Sequence, residues 1–309
     1  MSFKPVMGVV VLTVGLLSQT SCIVGVGDWQ RFSKDIHSSY PLKAGGTLNV
    51  ETFNGSVDIS GWDQDTVDIS ATKFGPSQEE ADNLHVDIEA TPSSVTIRVP
   101  RPGLLRNNQG ARFVIKIPRG ARLDRITTSN SSIHTQDGVG STRLKTSNGS
   151  IRVLDLKGTL DADTSNSSVE LSGVDGDARV HTSNGSIRIN QLNGGLEAST
   201  SNSSVHMEAM RPDRPIRIDT SNGSVEVNLP EGFSSPVRVD TSNSPITVRV
   251  YDGTNARIAA RTSNSSIHTE FAVRAEGDIS KNRLDAEMGK GGPLIDLSTS
   301  NGSIKLLRR

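Results

Sequence analysis

A single cysteine, Cys22, stands among 309 residues, so no intramolecular disulfide can staple the fold. Aromatic residues are scarce at 4%, and hydrophobic residues reach only 33%, too little for one thick globular core. An excess of charge of one sign is missing as well: 33 Lys and Arg face 34 Asp and Glu, with no basic run. Nucleic-acid binding leaves a basic footprint and is excluded as a partner. The same balance argues against disorder, which combines low hydrophobicity with high net charge. Nucleophile elbows of the form Gly-x-Ser-x-Gly, phosphate-binding glycine loops and Gly-Gly-x-Gly-x-Asp calcium nonapeptides are all absent. No catalytic residue, metal or cofactor is therefore expected.

Long hydrophobic runs are lacking too. The longest, Val6 to Leu17, follows Lys4 and is twelve residues long, short of the roughly 20 that span a bilayer. It reads as the apolar region of an export signal. Polar Ser18, Gln19, Thr20 and Ser21 then lead to Cys22. This placement resembles a bacterial lipoprotein signal, in which the cysteine becomes the acylated first residue. Ser21 fits the small position of that pattern, while Gln19 stands where it has an aliphatic residue. The expectation is a signal peptide over 1–22 with Cys22 as lipid attachment, the alternatives being ordinary cleavage nearby, an incidental cysteine, or a retained anchor running on through Ile23-Val24-Gly25-Val26. Residues 23–44 show no period and read as a tether.

What the chain has in abundance is one motif. Thr-Ser-Asn begins at Thr128, Thr146, Thr164, Thr182, Thr200, Thr220, Thr241, Thr262 and Thr299, with Thr52-Phe53-Asn54-Gly55-Ser56 as an early copy. Successive intervals are 18 residues four times, then 20, 21, 21 and 37, and Ser280-Lys281-Asn282 in the long gap reads as a degenerate copy. Three residues after each asparagine comes Val or Ile, from Val57 and Ile133 to Ile304, and four before it comes an aliphatic such as Val180 or Ile218. Alternation with period two on both sides of a turn marks half-buried strands. Each repeat thus reads as two short strands, an Asn turn and a looser turn carrying Gly158, Gly176 or Gly194-Gly195.

A meander of hairpins and a solenoid share this pattern, and the residue after asparagine separates them. It is Gly at 55, 149, 185, 223 and 302 but Ser at 131, 167, 203, 244 and 265. A two-residue type I′ hairpin strongly prefers Gly there, so the solenoid is expected: all-β, about ten coils of 18–21 residues. Thr and Asn share the parity of the buried aliphatics before them and are expected to point inward. Stacking about 4.8 Å apart would then join Asn54, Asn130, Asn148, Asn166, Asn184, Asn202, Asn222, Asn243, Asn264 and Asn301 in an amide ladder. The opposite parity places Ser129, Ser147, Ser165, Ser183, Ser201, Ser221, Ser242, Ser263 and Ser300 in an exposed ribbon, a weak candidate for binding. The outward column His134, Arg152, Glu170, Arg188, His206, Glu226, Thr247, His268 mixes signs, as stacked strands require. Its three histidines lie about four coils apart, too far to share one metal.

Solenoids need capped ends. Residues 45–125 are read as the N-terminal β cap and 126–309 as the solenoid, with Ser77 and Glu80 forming a capping box that opens one short helix. Val57-Asp58-Ile59-Ser60-Gly61-Trp62-Asp63 with Val67, Val114-Ile115-Lys116-Ile117-Pro118, and the closing Gly289-Lys290-Gly291-Gly292-Pro293 to Ile304 resemble the bacterial putative-adhesin family of β-strand-repeat envelope proteins, a domain of unknown function. The resemblance covers about residue 45 to the end. It implies a repetitive β fold in an exported protein and supplies no catalytic motif. The expected function is a non-catalytic adhesin-like or scaffolding role in the cell envelope: outer-membrane lipoprotein, periplasm or surface. The expected partners are the membrane through the lipid and a glycan or envelope protein. A periplasmic sensing module and a carbohydrate-active β-helix enzyme are the alternatives.

Overall fold

In the computed structural model, which describes residues 32–101 and 108–309, strands account for nearly all regular structure. The N-terminal part runs β1 (Phe32–Pro41), β2 (Thr47–Glu51), β3 (Val57–Trp62), β4 (Thr66–Gly75), α1 (Gln78–Asn83), β5 (Asp87–Thr91), β6 (Ser94–Arg98) and β7 (Gly110–Pro118). The repeats follow as β8 (Arg122–Thr127), β9 (Ile133–Gln136), β10 (Thr142–Lys145), β11 (Ile151–Lys157), β12 (Leu160–Asp163), β13 (Val169–Asp175), β14 (Ala178–His181) and β15 (Ile187–Asn193). They continue as β16 (Leu196–Thr200), β17 (Val205–Arg211), β18 (Ile216–Thr220), β19 (Val225–Asn228), β20 (Val237–Thr241) and β21 (Ile246–Val250). The end comprises β22 (Ala256–Thr262), β23 (Ile267–Thr269), β24 (Val273–Ser280), β25 (Arg283–Met288), β26 (Leu294–Thr299) and β27 (Ile304–Arg308).

These strands build two long sheets. Strands that follow the motif lie in one, in the order β1-β4-β7-β3-β9-β11-β13-β15-β17-β19-β21-β27-β23. Strands that precede it lie in the other, in the order β24-β25-β22-β26-β20-β18-β16-β14-β12-β10-β8-β2-β6-β5. Repeat pairs with repeat in parallel at identical motif positions, for example Ile151↔Val169 and Val169↔Ile187. The chain is thus a β-solenoid, each repeat one coil. Inward aliphatics from both sheets form one continuous core, with Ile133, Ile151, Val169 and Leu171 fully buried; each contributes about 1.5–3 kcal/mol of burial. At the loose edge Gly158, Gly176 and Gly194 stack with φ of 136°, 146° and 142°. A Cβ at Gly176 would lie 2.2 Å from the Gly158 carbonyl oxygen, so the column admits only glycine.

The parallel stack runs unbroken from the N-terminal segment into the repeats, because β2 pairs with β8 and β3 with β9. Antiparallel strands then close the N-terminal end. β4 lies against β7, β5 against β6, and β1 pairs with β4 from Phe32↔Gly75 to Pro41↔Thr66. Part of the stretch read as a tether is therefore an edge strand. Helix α1 is capped by Ser77, whose hydroxyl accepts from the Glu80 N–H at 3.2 Å. Its C-terminus has no basic residue of its own. Instead buried Lys73 of β4 donates to the carbonyls of Asp82 at 2.7 Å and Leu84 at 3.0 Å. Trp62 closes the β3–β4 turn by donating its indole N–H to the Thr66 carbonyl at 2.7 Å.

One expectation fails at the other end. Ser280-Lys281-Asn282 is no degenerate coil; it forms the turn of the antiparallel β24–β25 hairpin. That tip still caps the stack, since the Thr262 N–H donates to the Asn282 carbonyl and the Ile267 N–H to that of Lys281. Nor does the stack follow sequence order: β26 and β27 lie between β20–β21 and β22–β23.

Candidate functional site

The motif edge is the most regular surface of the molecule, and each of its residues has a distinct task. Threonine points inward as expected, with Thr164 and Thr182 at 0% exposure. Its hydroxyl stitches coils together: Thr164 donates to the Gly149 carbonyl at 2.9 Å and Thr200 to the Gly185 carbonyl at 3.1 Å. In coils with Gly after asparagine it also accepts, as Thr182 does from the Gly185 N–H at 3.1 Å. The next two N–H groups share one acceptor, those of Ser147 and Asn148 both reaching the Ser129 carbonyl at 3.0 Å.

The asparagines depart from the expected inward orientation. From Asn130 to Asn301 their side chains stand at the exposed edge. Parity carries a side chain inward only while the backbone stays extended, and the turn after threonine ends that alternation. The amides nonetheless meet head to tail. Asn148 Nδ2 donates to Asn130 Oδ1 at 2.7 Å, Asn166 to Asn148 at 2.7 Å, Asn184 to Asn166 at 2.9 Å and Asn202 to Asn184 at 2.7 Å. The file continues through Asn222 and Asn243 to Asn301 and then Asn264, all bonds pointing one way, and ends where Asn54 donates to the Gln109 carbonyl at 3.0 Å.

The residue after asparagine alternates in space. From Asn54 onward the stacked coils carry Gly55, Ser131, Gly149, Ser167, Gly185, Ser203, Gly223, Ser244, Gly302 and Ser265. Gly149, Gly185, Gly223 and Gly302 each make way for the serine coil before them: a Cβ at Gly185 would sit 1.7 Å from the Ser167 carbonyl oxygen. Ser167, Ser203 and Ser244 in turn reach over the glycine coil, Ser203 Oγ donating to the Asn184 carbonyl at 2.8 Å.

Of the expected ribbon, Ser147, Ser165, Ser201, Ser221, Ser242, Ser263 and Ser300 are exposed, and Ser129 and Ser183 half-exposed. Sequence reasoning overlooked a second file two residues after asparagine, including Ser132, Ser168, Ser186, Ser204 and Ser224, also exposed. The repeat held that signal, since the fifth motif position is serine in all but one copy. From Ser147 onward the motif itself therefore presents a strip of hydroxyls and amides.

Charge lies on the two faces and the loose edge, much of it paired across coils, and Arg101 donates to Ser129 at the N-terminal end of the motif edge. Arg152 meets Glu170 at 2.8 Å, Arg179 meets Glu197 at 2.7 Å and His206 meets Glu226 at 3.5 Å. The pKa values of Arg217 and Arg238 are raised above the ordinary arginine value by the hydrogen bonds that they donate to Asp219 and Asp240. A shallow groove of about 500 Å³ at the loose edge is lined by Asp161, Asp177, Arg179, Glu197, Arg214 and Arg217. There Arg214 pairs with Asp177. His134, His206 and His268 share one column, with Lys305 inserted beside His268 by the displaced last coil. Among the described residues no three His, Cys, Asp or Glu are placed to hold one metal ion, and no helix is long and apolar enough to cross a membrane. Cys22 and the segment read as an export signal lie outside the described residues.

Solved structures with a similar arrangement include a putative adhesin from Parabacteroides distasonis, 14% identical over 92% of this chain and 98% of that one, with a TM-score of 0.41. Another from Parabacteroides merdae is 12% identical over 88% and 95%, at 0.38, and one from Bacteroides fragilis 11% identical over 89% and 97%, at 0.35. No curated protein sequence matches the chain. The family described as Toastrack DUF4097 matches residues 46–281, well over half of the sequence, and the chain belongs to that family.

Proposed function

We propose that this protein is an exported, non-catalytic module of the bacterial cell envelope that acts through its repetitive β surface, as an adhesin-like or scaffolding element. One observation carries the reading: along the motif edge the same asparagine-to-asparagine hydrogen bond recurs from coil to coil, from Asn130 to Asn264. An extended, uniform face suits contact with an extended partner, a glycan or another envelope protein, better than turnover of a small substrate. Within this proposal residues 1–22 direct export and Cys22 carries the lipid. Residues 45–125 cap the 126–309 solenoid.

Protease and antibody access on intact cells, with lysed cells as control, tests it. Digestion and labelling on intact cells place the solenoid outside and support adhesion or surface scaffolding. Protection against both until lysis overturns the adhesin reading and leaves a periplasmic scaffold or sensing partner.

A further inference from the structure

The last coil of the stack is not the last coil of the chain. After β21 the chain passes over one coil's width, lays down β22 and β23, folds the β24–β25 hairpin antiparallel onto β22, and returns to fill the gap with β26 and β27. β20 and β22 do not pair with each other; both pair with β26, so that Ile295 stands opposite Val237 on one side and Ile258 on the other. Likewise Ile304 of β27 stands opposite Ile246 and Ile267.

The gap is matched to this segment in detail. Asn301 donates to Asn243 and accepts from Asn264, both at 2.7 Å, and so completes the amide file. Thr299 Oγ1 donates to the Ser244 carbonyl at 3.2 Å, and Thr262 Oγ1 to the Gly302 carbonyl at 2.9 Å. A Cβ at position 302 would lie 1.9 Å from the Ser244 carbonyl oxygen, so only a coil of the glycine type fits. In sequence order Ser244 and Ser265 would be neighbours and break the Gly–Ser alternation; Gly302 between them restores it. Ile295, Leu297, Ile304 and Leu306 fill the core at 0–1% exposure.

The segment joins the rest through Gly289-Lys290-Gly291-Gly292-Pro293, whose glycines take φ of 64°, 76° and 156°. β26–β27 finds both sets of partners only when β20–β21 and β22–β23 already stand one coil apart. Until then four strand edges face an empty slot, and such edges invite a strand of the same chemistry. Any copy of this chain carries that strand pair.

We propose that the slot between the Thr241 and Thr262 coils is an exchange site for a second copy of this chain. The β26–β27 pair of each molecule enters the slot of the other, with the Gly-rich segment as hinge. The reciprocal dimer keeps every bond named above, and the exchange alters only the path of the hinge. This inference is independent of the proposed envelope role.

Engineered cysteines in the full chain test it, with Cys22→Ser as background. Ser242 and Ser300 are exposed neighbours in the stack, the Ser300 N–H donating to the Ser242 carbonyl at 3.2 Å. Differently tagged Ser242→Cys and Ser300→Cys chains are mixed, carried through partial unfolding and refolding, and oxidised mildly. Ser147→Cys and Ser165→Cys chains, exposed neighbours in mid-stack with the Ser165 N–H donating to the Ser147 carbonyl at 3.1 Å, serve as control. Exchange predicts a disulfide-linked heterodimer at 242–300 in several-fold excess over the 147–165 pair. The double variant Ser242→Cys/Ser300→Cys at high dilution should close the bond within one chain, since stacked coils bring Cα atoms within disulfide range. Equal cross-linking at both pairs, or no heterodimer while the double variant closes internally, overturns the proposal. Failure of the double variant to close overturns the interleaved coil on which it rests.

Discussion

At the scale of single residues, the motif divides labour by chemistry. Threonine combines a β-branched body that suits a strand with a hydroxyl that satisfies buried carbonyls of the neighbouring coil. Asparagine alone offers both an amide donor and a carbonyl acceptor on one short stem, so copies at 4.8 Å spacing chain together. Asn184 donates to Asn166 and accepts from Asn202. Asn184→Leu removes both bonds, each worth about 0.5–1.5 kcal/mol, and should lower the melting temperature more than Arg188→Ala on the exposed column. Equal melting temperatures for the two variants would remove the amide file as a source of stability. Gly185 sits against the Ser167 carbonyl oxygen, so Gly185→Ser forces the coils apart and should cost about 1–3 kcal/mol in chemical denaturation. Ser203→Gly, which removes one hydrogen bond without a clash, should cost about 1 kcal/mol or less.

At the scale of elements, the coil is the unit and the caps are the exceptions. Two parallel strands of four to seven residues cannot bury their apolar face alone and are stable only when neighbours cover both sides. Terminal coils therefore need strands of another kind, and both ends supply antiparallel ones: β1, β4 and β5 at one end, β24 and β25 at the other. At the N-terminal end Lys34 of β1 reaches Asp82 of α1 at 3.2 Å. Its hydrogen bond holds the Asp82 carboxyl below the ordinary value. A depressed carboxyl pKa contributes stability that is complete above the unfolded value, about 3.9, and is lost as pH falls through the folded one. Thermal melts across the acid range should show wild type and Asp82→Asn converging as pH drops through that window. A gap between them that stays constant with pH would show that the pair does not stabilise the cap.

At the scale of the whole molecule, ten coils stacked at about 4.8 Å give a body about 45–50 Å long whose motif edge is chemically constant. Hydrogen bonds between coils run along this length, and every interior coil is held by its two neighbours. The interleaved C-terminal pair makes the final coil depend on strands on both sides that are distant in sequence. Among the described strands this is where the stack cannot grow by simple addition.

The sequence by itself determined the coil. The 18-residue period, the Val or Ile three residues after each asparagine and the mixture of Gly and Ser at the turn were enough to choose a parallel solenoid over a hairpin meander. Ser77 and Glu80 placed the helix for the same reason: capping depends on neighbours a few residues apart. The orientation of asparagine was not legible, because the parity rule holds for extended backbone and the turn breaks it. Ser280-Lys281-Asn282 kept the spacing of a coil yet became a hairpin turn, since spacing does not state strand direction. The tertiary structure alone decided which coils are neighbours. Pairing between β20, β26 and β22 joins segments tens of residues apart, and local propensity carries no information about such contacts. The consecutive serines at 244 and 265 held a trace of it, but its meaning emerges only in the stack, where Gly302 must lie against the Ser244 carbonyl.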